Sequence, residues 1–559
     1  MSKSNLKIAL CQVSSEVGNI VANAEKIIRI YNETDADLIV FPELSLSGYS
    51  CKDLFFDKQF IAKITAAVAE ITKVTNNKAL LIGAPITKDN KLFNSALLIQ
   101  NGEIKKQYNK RFLPNYGVFD EQRYFTSGDE LSAVWEVNKH KIRVLICEDL
   151  WHDDMDLASQ SEVCSITIAI NSSPFSINKL HKRLEIAKNF VQKYKQGYLA
   201  YLNSVCADDH LIFEGGSMLI DANGDVLIEP RKWQEDIIIF DLNIQHKSKE
   251  YYIEKSDVLN LNDDAAKDIY YGIVLGLKEY AKYSNCNKFV LGLSGGIDSA
   301  LVALIAADAF GSNNILTIAM PSKYSSENSL NDAIELAQQI GCEIITIPII
   351  DIKKSLDNSL IEAIGKLTDD EITNENLQPR IRATILMAIA NKQNRLLLCT
   401  SNKSESAVGY TTLYGDMTGA FAPIIDLYKT QVYSLTKWRN NNIPENFVGQ
   451  NIIPKKNIIP ISIIDKEPSA ELKPNQKDSD SLLNYKILDP ILYSLIELKN
   501  SCEDIAMSNN TSTAEVGKVK KMLFKNEFKR YQSPPGPKIN HIMLNTDRRY
   551  PICSSGILT

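Results

Sequence analysis

The sequence predicts an α/β chain in two parts, a layered sandwich followed by a doubly wound parallel sheet. Three observations predict it. Between Leu6 and about Asp241, short β-rich runs (ADLIVF, ALLIG, IRVLICE, ITIAIN, YLAYLN) alternate with polar helical stretches, the pattern of stacked sheet and helix layers. Further on, the strand KFVLGL, the helix SALVALIAADAF, the strand NILTIAM, the helix SLNDAIELAQQIG and the strand EIITIPI follow one another as βαβ units, which close into parallel sheets. Finally, 559 residues at 44% hydrophobic content can bury more than one core, at roughly 150 residues per domain.

Taken in order, these elements give a first domain at 1–245, a linker at 246–267 where the chain is charged and weakly periodic, and a second domain at 268–559. The stretch IYYGIVLGLKEYA reads as the helix leading into the first strand of the second domain. The helix SALVALIAADAF is apolar nearly all round, which implies burial on every face. Asn440 to Asn442 and residues 455–457 read as surface loops.

Composition excludes several functions. The net charge is -6 and the basic residues are spread along the chain, so the electrostatic footprint of a nucleic-acid binder is missing. No apolar run approaches the ~18 residues of a membrane span, and the apolar stretch before Gln12 is too short for a secretory signal. A cytoplasmic protein is expected. The ten cysteines contain no C-x-x-C pair and the six histidines no H-x-x-x-H, which sets zinc and iron–sulfur chemistry aside.

The most specific short signal is Ser294-Gly295-Gly296-Ile297-Asp298-Ser299, set between a buried strand and a buried helix. Glycines allow close approach of an anion, Ser294 and Ser299 add hydroxyl donors, and the helix N-terminus offers free N–H groups. No Walker-type lysine sits in the turn. Asp298 stands there instead, and a carboxylate beside phosphates requires a bridging cation, so Mg2+ is expected between Asp298 and a polyphosphate. On these six residues alone, a capped glycine turn is the alternative reading.

The turn resembles that of the N-type ATP pyrophosphatases, which transfer AMP to a carboxylate or carbonyl oxygen. The strings MPSKYSSENS (320–329), ENLQPRIR (375–382), TSNKSESAVGYTTLYGDMTG (400–419), KEPSAEL (466–472) and EFKRYQSPPGPK (527–538) extend the resemblance to the NAD synthetases within that family. It implies a doubly wound ATP pyrophosphatase domain in which Ser294, Gly295, Gly296, Asp298, Ser299, Thr400, Lys429 and Ser469 hold ATP. Asp298 and Glu405 would hold the metal, and Arg380, Asp416 and Lys538 would lie near the substrate deamido-NAD. Pro379 is expected in the first turn of its helix, where proline is tolerated.

Three residues of the first half have the chemistry of covalent amide hydrolysis: Glu43 in VFPELSLSGY, Lys110 in NKRFLPNYGVFDEQRYF and Cys147 in VLICEDLW. Glu43 and Cys147 end predicted strands, where α/β sites form. A cysteine of ordinary pKa, near ~8.5, holds little thiolate at neutral pH and needs a base or a cation beside it. Glu43 would take the thiol proton, Cys147 would attack the amide carbon of glutamine, and Lys110 would stabilise the oxyanion. Lys105 and Lys106 are rival lysines by composition, but the K-x-x-L-P spacing selects Lys110.

With NSSPF (171–175) and FEGGSMLIDANGDVL (213–227), these strings resemble the nitrilase, or carbon–nitrogen hydrolase, superfamily over about residues 5–245. That resemblance implies a nitrilase-like α-β-β-α sandwich, with Tyr116, Glu148, Ser173 and Arg183 around the glutamine. One departure is Cys206-Ala207-Asp208 in place of a Gly-Gly-x run, next to the aspartate matched by Asp209, which bears on pocket shape. Together the two halves imply a glutamine-dependent NAD synthetase: ATP adenylylates deamido-NAD, and ammonia from glutamine displaces AMP. The family resemblance further implies an ammonia tunnel and a homo-oligomer. The rival readings are an ammonia-dependent synthetase with a structural amidase half and another amidating enzyme on the same ATP-binding fold.

Overall fold

The computed structural model describes residues 5–130, 133–152, 164–194, 197–242, 251–369, 371–445 and 451–553. The chain divides into two compact units, Met1–Lys255 and Ser256–Thr559. Of the stretch expected as a linker, 246–250 lie outside the described residues, and its last residues open the helix Asp263–Tyr283.

The first unit holds two facing sheets. One is six-stranded, in the order Asp236–Asp241, Lys7–Gln12, Leu38–Val40, Ala79–Lys88, Lys91–Gln100, Glu103–Asn109. The other is seven-stranded and centred on Tyr198–Asn203, Ile166–Asn171 and His140–Ile146, which pair in parallel. Alternation along each strand sorts the side chains: Ile8 and Leu10 join Val144, Ile168 and Leu202 between the sheets. Ala9 and Cys11 face outward and pack with Ile27 and Ile64 of the helices Ile20–Glu33 and Lys58–Val74. On the far side, Leu145, Ala169 and Tyr201 meet Leu184 and Ala187 of the helix Lys179–Tyr194. The unit is an α-β-β-α sandwich. Helices on the outer faces explain why these strands read as continuous apolar runs.

In the second unit, four parallel strands run in the order Glu343–Thr346, Ile315–Ala319, Phe289–Gly292, Leu396–Leu397. The chain builds outward from Phe289–Gly292 on one side and then returns to add Leu396–Leu397 on the other. Such a reversal opens a crevice beyond the carboxyl ends of Phe289–Gly292 and Leu396–Leu397. The helix Ile297–Phe310 is buried on every face, each enclosed Leu or Ile side chain contributing about 1.5–3 kcal/mol. Its one buried acid, Asp308, accepts from Arg439 Nε at 2.7 Å and from Tyr270 Oη at 2.5 Å.

Two local expectations are corrected. Asn440 belongs to the helix Lys429–Asn441 and is buried. Its side chain accepts from Ile459 N at 3.0 Å and donates to Ile459 O at 2.8 Å, satisfying a backbone segment that no sheet serves. Pro379 lies well inside the helix Ile372–Gln393, not in its first turn. A proline there withdraws one backbone donor from the helix ladder.

Candidate functional site

In the first unit the chain leaves the strand Leu38–Val40 in a tight turn that carries Glu43. Gly83 passes so close beneath it that a Cβ would lie 2.4 Å from Leu44 N and Pro42 O. Glu43 is buried; Oε1 accepts from Lys110 Nζ at 2.7 Å and Asn94 Nδ2 at 2.8 Å, and Oε2 accepts from Ser172 N at 2.8 Å. Lys110 Nζ also donates to Glu121 Oε1 at 2.8 Å, and Tyr49 Oη donates to the same oxygen at 2.8 Å. The ammonium is fully buried. Burial opposes its charge, but Glu121, Glu43 and Cys147 outweigh this and hold its pKa well above the usual value. Burial pushes the Glu121 carboxyl up to about 7.

Cys147 follows the strand His140–Ile146 at the start of the 3-10 turn Cys147–Leu150, with φ at 45°. Burial first, then the Glu43 carboxylate, raises its thiol pKa well above normal, while Lys110 opposes the rise. The resting group is therefore a thiol, and a base must remove its proton. Asp149 ties this turn to the loop after Lys110: it accepts from Ile146 N at 3.1 Å, Arg111 N at 3.1 Å, Phe112 N at 3.0 Å and Tyr108 Oη at 2.9 Å.

Burial raises the Asp149 carboxyl to about 6, against about 3.9 in an unfolded chain. An acid whose folded pKa is raised stabilises the fold at low pH and loses that contribution as pH rises through the folded value. Denaturant titrations at pH 5 and pH 7.5 should show the wild type losing on the order of 1 kcal/mol relative to Asp149→Asn between the two. Equal slopes for the two proteins would refute the assignment.

The second site lies in the crevice of the four-stranded sheet, a cavity of about 310 Å³. The turn from Phe289–Gly292 into Ile297–Phe310 is held by its own hydroxyls: Ser294 Oγ and Ser299 Oγ lie 3.1 Å apart, and Gly296 N donates to Ser294 Oγ at 3.2 Å. Gly295 has φ +75° and a Cβ there would meet Ser329 O at 2.2 Å, so only glycine fits. Opposite the turn, Asn402 caps the helix Lys403–Val408: it accepts from Glu405 N at 2.9 Å and donates to Asp298 Oδ1 at 3.0 Å. Lys429 Nζ bridges the acids, bonding Asp298 Oδ2 and, at 3.0 Å, Glu405 Oε1. Burial, eased by Lys429 and reinforced by Asp298, lifts the Glu405 carboxyl to about 8.

A carboxylate pair at a phosphate-binding turn suits Mg2+, which takes one or two protein carboxylates and completes its shell with phosphate oxygens and water. Among the described residues no group of three or more His, Cys, Asp or Glu side chains could hold a metal.

Residues 7–247 match the carbon-nitrogen hydrolase family and residues 269–533 the NAD synthase family. The glutamine-dependent NAD(+) synthetase of Aquifex aeolicus is 38% identical over 98% of this chain and 99% of its own length. That of Acinetobacter baylyi is 38% identical over 98% of each. The chain belongs to the glutamine-dependent NAD(+) synthetases. Among solved structures, the Acinetobacter baumannii enzyme in complex with ADP aligns at 34% identity and TM-score 0.75 over 98% of each chain. The Cytophaga hutchinsonii enzyme, at 21% identity and TM-score 0.80 over 99% of this chain and 98% of its own, shares the fold.

In this synthetase, Glu43 and Lys110 meet directly and Cys147 lies within their electrostatic reach. Tyr116 Oη donates to Glu148 at 3.1 Å. Arg183, expected at the glutamine, is fully buried and tied to Glu214 Oε1 at 2.5 Å, Ser173 O at 2.6 Å and Pro174 O at 3.1 Å. It braces the turn carrying Ser173, while Lys179 on the same helix lies within electrostatic reach of Cys147 and Glu148. In the second unit Ser294, Gly296, Asp298, Ser299, Thr400, Glu405, Asp416, Lys429 and Ser469 line the cleft.

Arg380 and Lys538 do not line it. Arg380 Nε donates to Leu413 O at 3.1 Å. Lys538 is buried and committed to Asn540 O, His541 O and Asp547. Sequence reading missed Glu121, whose signal was its place 11 residues after Lys110 in one motif, and also Asn94, Ser172 and Asn402. The Cys206 departure packs with Phe213 against Tyr49, one residue removed from the Glu121–Lys110 pair.

Proposed function

We propose that the chain makes NAD by amidating deamido-NAD with ammonia freed from glutamine, through an adenylylated intermediate that releases pyrophosphate and then AMP. The observation that carries the reading is the presence in one chain of two constellations: a buried Glu43–Lys110–Cys147 cluster and a phosphate-binding turn facing the Asp298–Glu405 pair.

At the first, Glu43 accepts the Cys147 proton as sulfur attacks the glutamine amide carbon. Lys110 spends two N–H bonds on Glu43 and Glu121, leaving the third for the developing oxyanion. Free glutamine is a zwitterion, and Glu148 with Tyr116 on one hand and Lys179 on the other offer the opposite charges. Burial, with Arg183 nearby, lowers Lys179 to about 8, so it remains mostly protonated at neutral pH. Ammonia leaves and water cleaves the thioester.

At the second, the turn N–H groups and Lys429 bind the polyphosphate of ATP. The ADP held by the Acinetobacter baumannii relative supports a nucleotide here. Mg2+ held by Asp298 and Glu405 would neutralise charge on the departing pyrophosphate. Asp298 and Glu405, paired with Lys429 here, would hold that ion once the Lys429 ammonium pairs with the phosphates instead.

The test is NAD formation from deamido-NAD, ATP and Mg2+ by the wild-type chain, supplied with glutamine or ammonium. Product from both nitrogen sources is expected. Product from ammonium alone would reduce the first unit to a structural role, and none from either would overturn the synthetase reading.

A further inference from the structure

The helix Ile372–Gln393 carries two arginines two positions apart, and they go to different places. Successive residues turn by about 100° around a helix, so these side chains leave it on nearly opposite faces. Arg380 turns to Leu413 O, away from the cleft lining; Arg382 lines the cleft that also holds Asp298 and Glu405, next to Met320. Arg382 is half-buried, and its Nε donates to Met320 O at 3.1 Å, which pins the guanidinium at the carboxyl end of the strand Ile315–Ala319.

The two terminal nitrogens of Arg382 have no hydrogen-bond or ion-pair partner among the described residues. Its neighbouring acids are engaged elsewhere: Asp416 Oδ1 accepts from Thr412 N at 2.7 Å, and Glu471 Oε1 from Ser329 Oγ at 2.5 Å and Lys466 Nζ at 3.3 Å. Burial pulls the group down to about 10, and Glu471 and Asp416 only partly restore it. It stays charged at neutral pH. A fork of N–H donors held at one end, with its terminal nitrogens unpaired by the protein, is suited to bidentate contact with a phosphoryl group.

We propose that Arg382 binds a phosphoryl group of a nucleotide substrate in this cleft, its free guanidinium edge pairing with the phosphate oxygens of ATP or of deamido-NAD. The proposal rests on the synthetase reading above. It places the phosphate clamp at Arg382, where the sequence resemblance places a substrate contact at Arg380. Sequence alone does not separate the two, since both lie in the same ENLQPRIR string.

The test uses the full chain with ammonium as nitrogen source, so that glutamine hydrolysis does not enter, and compares wild type, Arg382→Met and Arg382→Lys. Steady-state kinetics are read with ATP and deamido-NAD varied in turn, and thermal midpoints are read with and without each nucleotide. Removing the unpaired cation should leave the ligand-free midpoint of Arg382→Met unchanged or higher. KM for one nucleotide should rise at least tenfold, with loss of the midpoint shift that this nucleotide produces. Arg382→Lys should retain part of the affinity. The nucleotide whose KM responds names the source of the phosphate.

If both KM values stay within twofold of wild type and the nucleotide-induced shifts persist, the proposal fails. A ligand-free midpoint that falls in both variants with kinetics unchanged also overturns it, since Arg382 would then serve only to hold Met320. Activity in the wild type keeps either failure separate from failure of the synthetase reading.

Discussion

Cys147→Ala is expected to lower glutamine-supported NAD synthesis by on the order of 10³-fold or more, as loss of a covalent nucleophile does, while ammonium-supported synthesis stays within about twofold. The reasoning follows from burial. The thiol is enclosed with Glu43 and Lys110, and alanine removes the sulfur without disturbing the Glu43–Lys110 bond at 2.7 Å. Parallel assays with glutamine and ammonium read both activities from one preparation. Retained glutamine use by the variant would remove Cys147 from the mechanism. A parallel loss with ammonium would mean that the substitution damages more than the first site.

Asp298→Asn is expected to do the reverse: a loss of about 10²–10³-fold with both nitrogen sources, the scale seen when one preorganised charge is removed from a transition state. Asp298 is the first-turn acid of the buried helix Ile297–Phe310 and meets Lys429 and Asn402 directly. Asparagine keeps the shape and the contact with Asn402 but leaves Glu405 as the one carboxylate ion-paired with Lys429 among the described residues. Glutaminase turnover, measured as glutamate released, tests whether the damage is local. Full synthesis by Asp298→Asn would show that the carboxylate pair is dispensable and that another group holds the cation.

Much of both sites was legible because the chemistry ends strands. Glu43, Cys147 and the Ser294–Ser299 turn each follow an apolar run that folds as a strand, so the crevice at the carboxyl ends of the sheet collects them. Residues whose role depends on rotation about a helix were less legible. Arg380 and Arg382 differ only in the face from which they leave Ile372–Gln393. There a motif fixes the neighbourhood and packing sets which of the two arginines lines the cleft.

Glu121 escaped notice for another reason. A glutamate in a polar string reads as solvated, and only its burial against Lys110 and Tyr49 gives it a part in the site. Pro379 was misplaced because local rules for proline describe an isolated helix. Here the helix is pressed at that point against Gly415, where a Cβ would come within 2.7 Å of the proline ring.

The left-handed backbone at Cys147, with φ at 45°, sets stability and activity against each other at one residue. A side chain in that region costs about 1–2 kcal/mol that glycine escapes. Judged by folding alone, position 147 would favour the smallest residue, and drift under selection for stability would erase the sulfur first. Under the proposed mechanism, activity asks for cysteine at the position where backbone strain disfavours it. Descendants that come to rely on free ammonia should lose this thiol before they lose the sandwich around it.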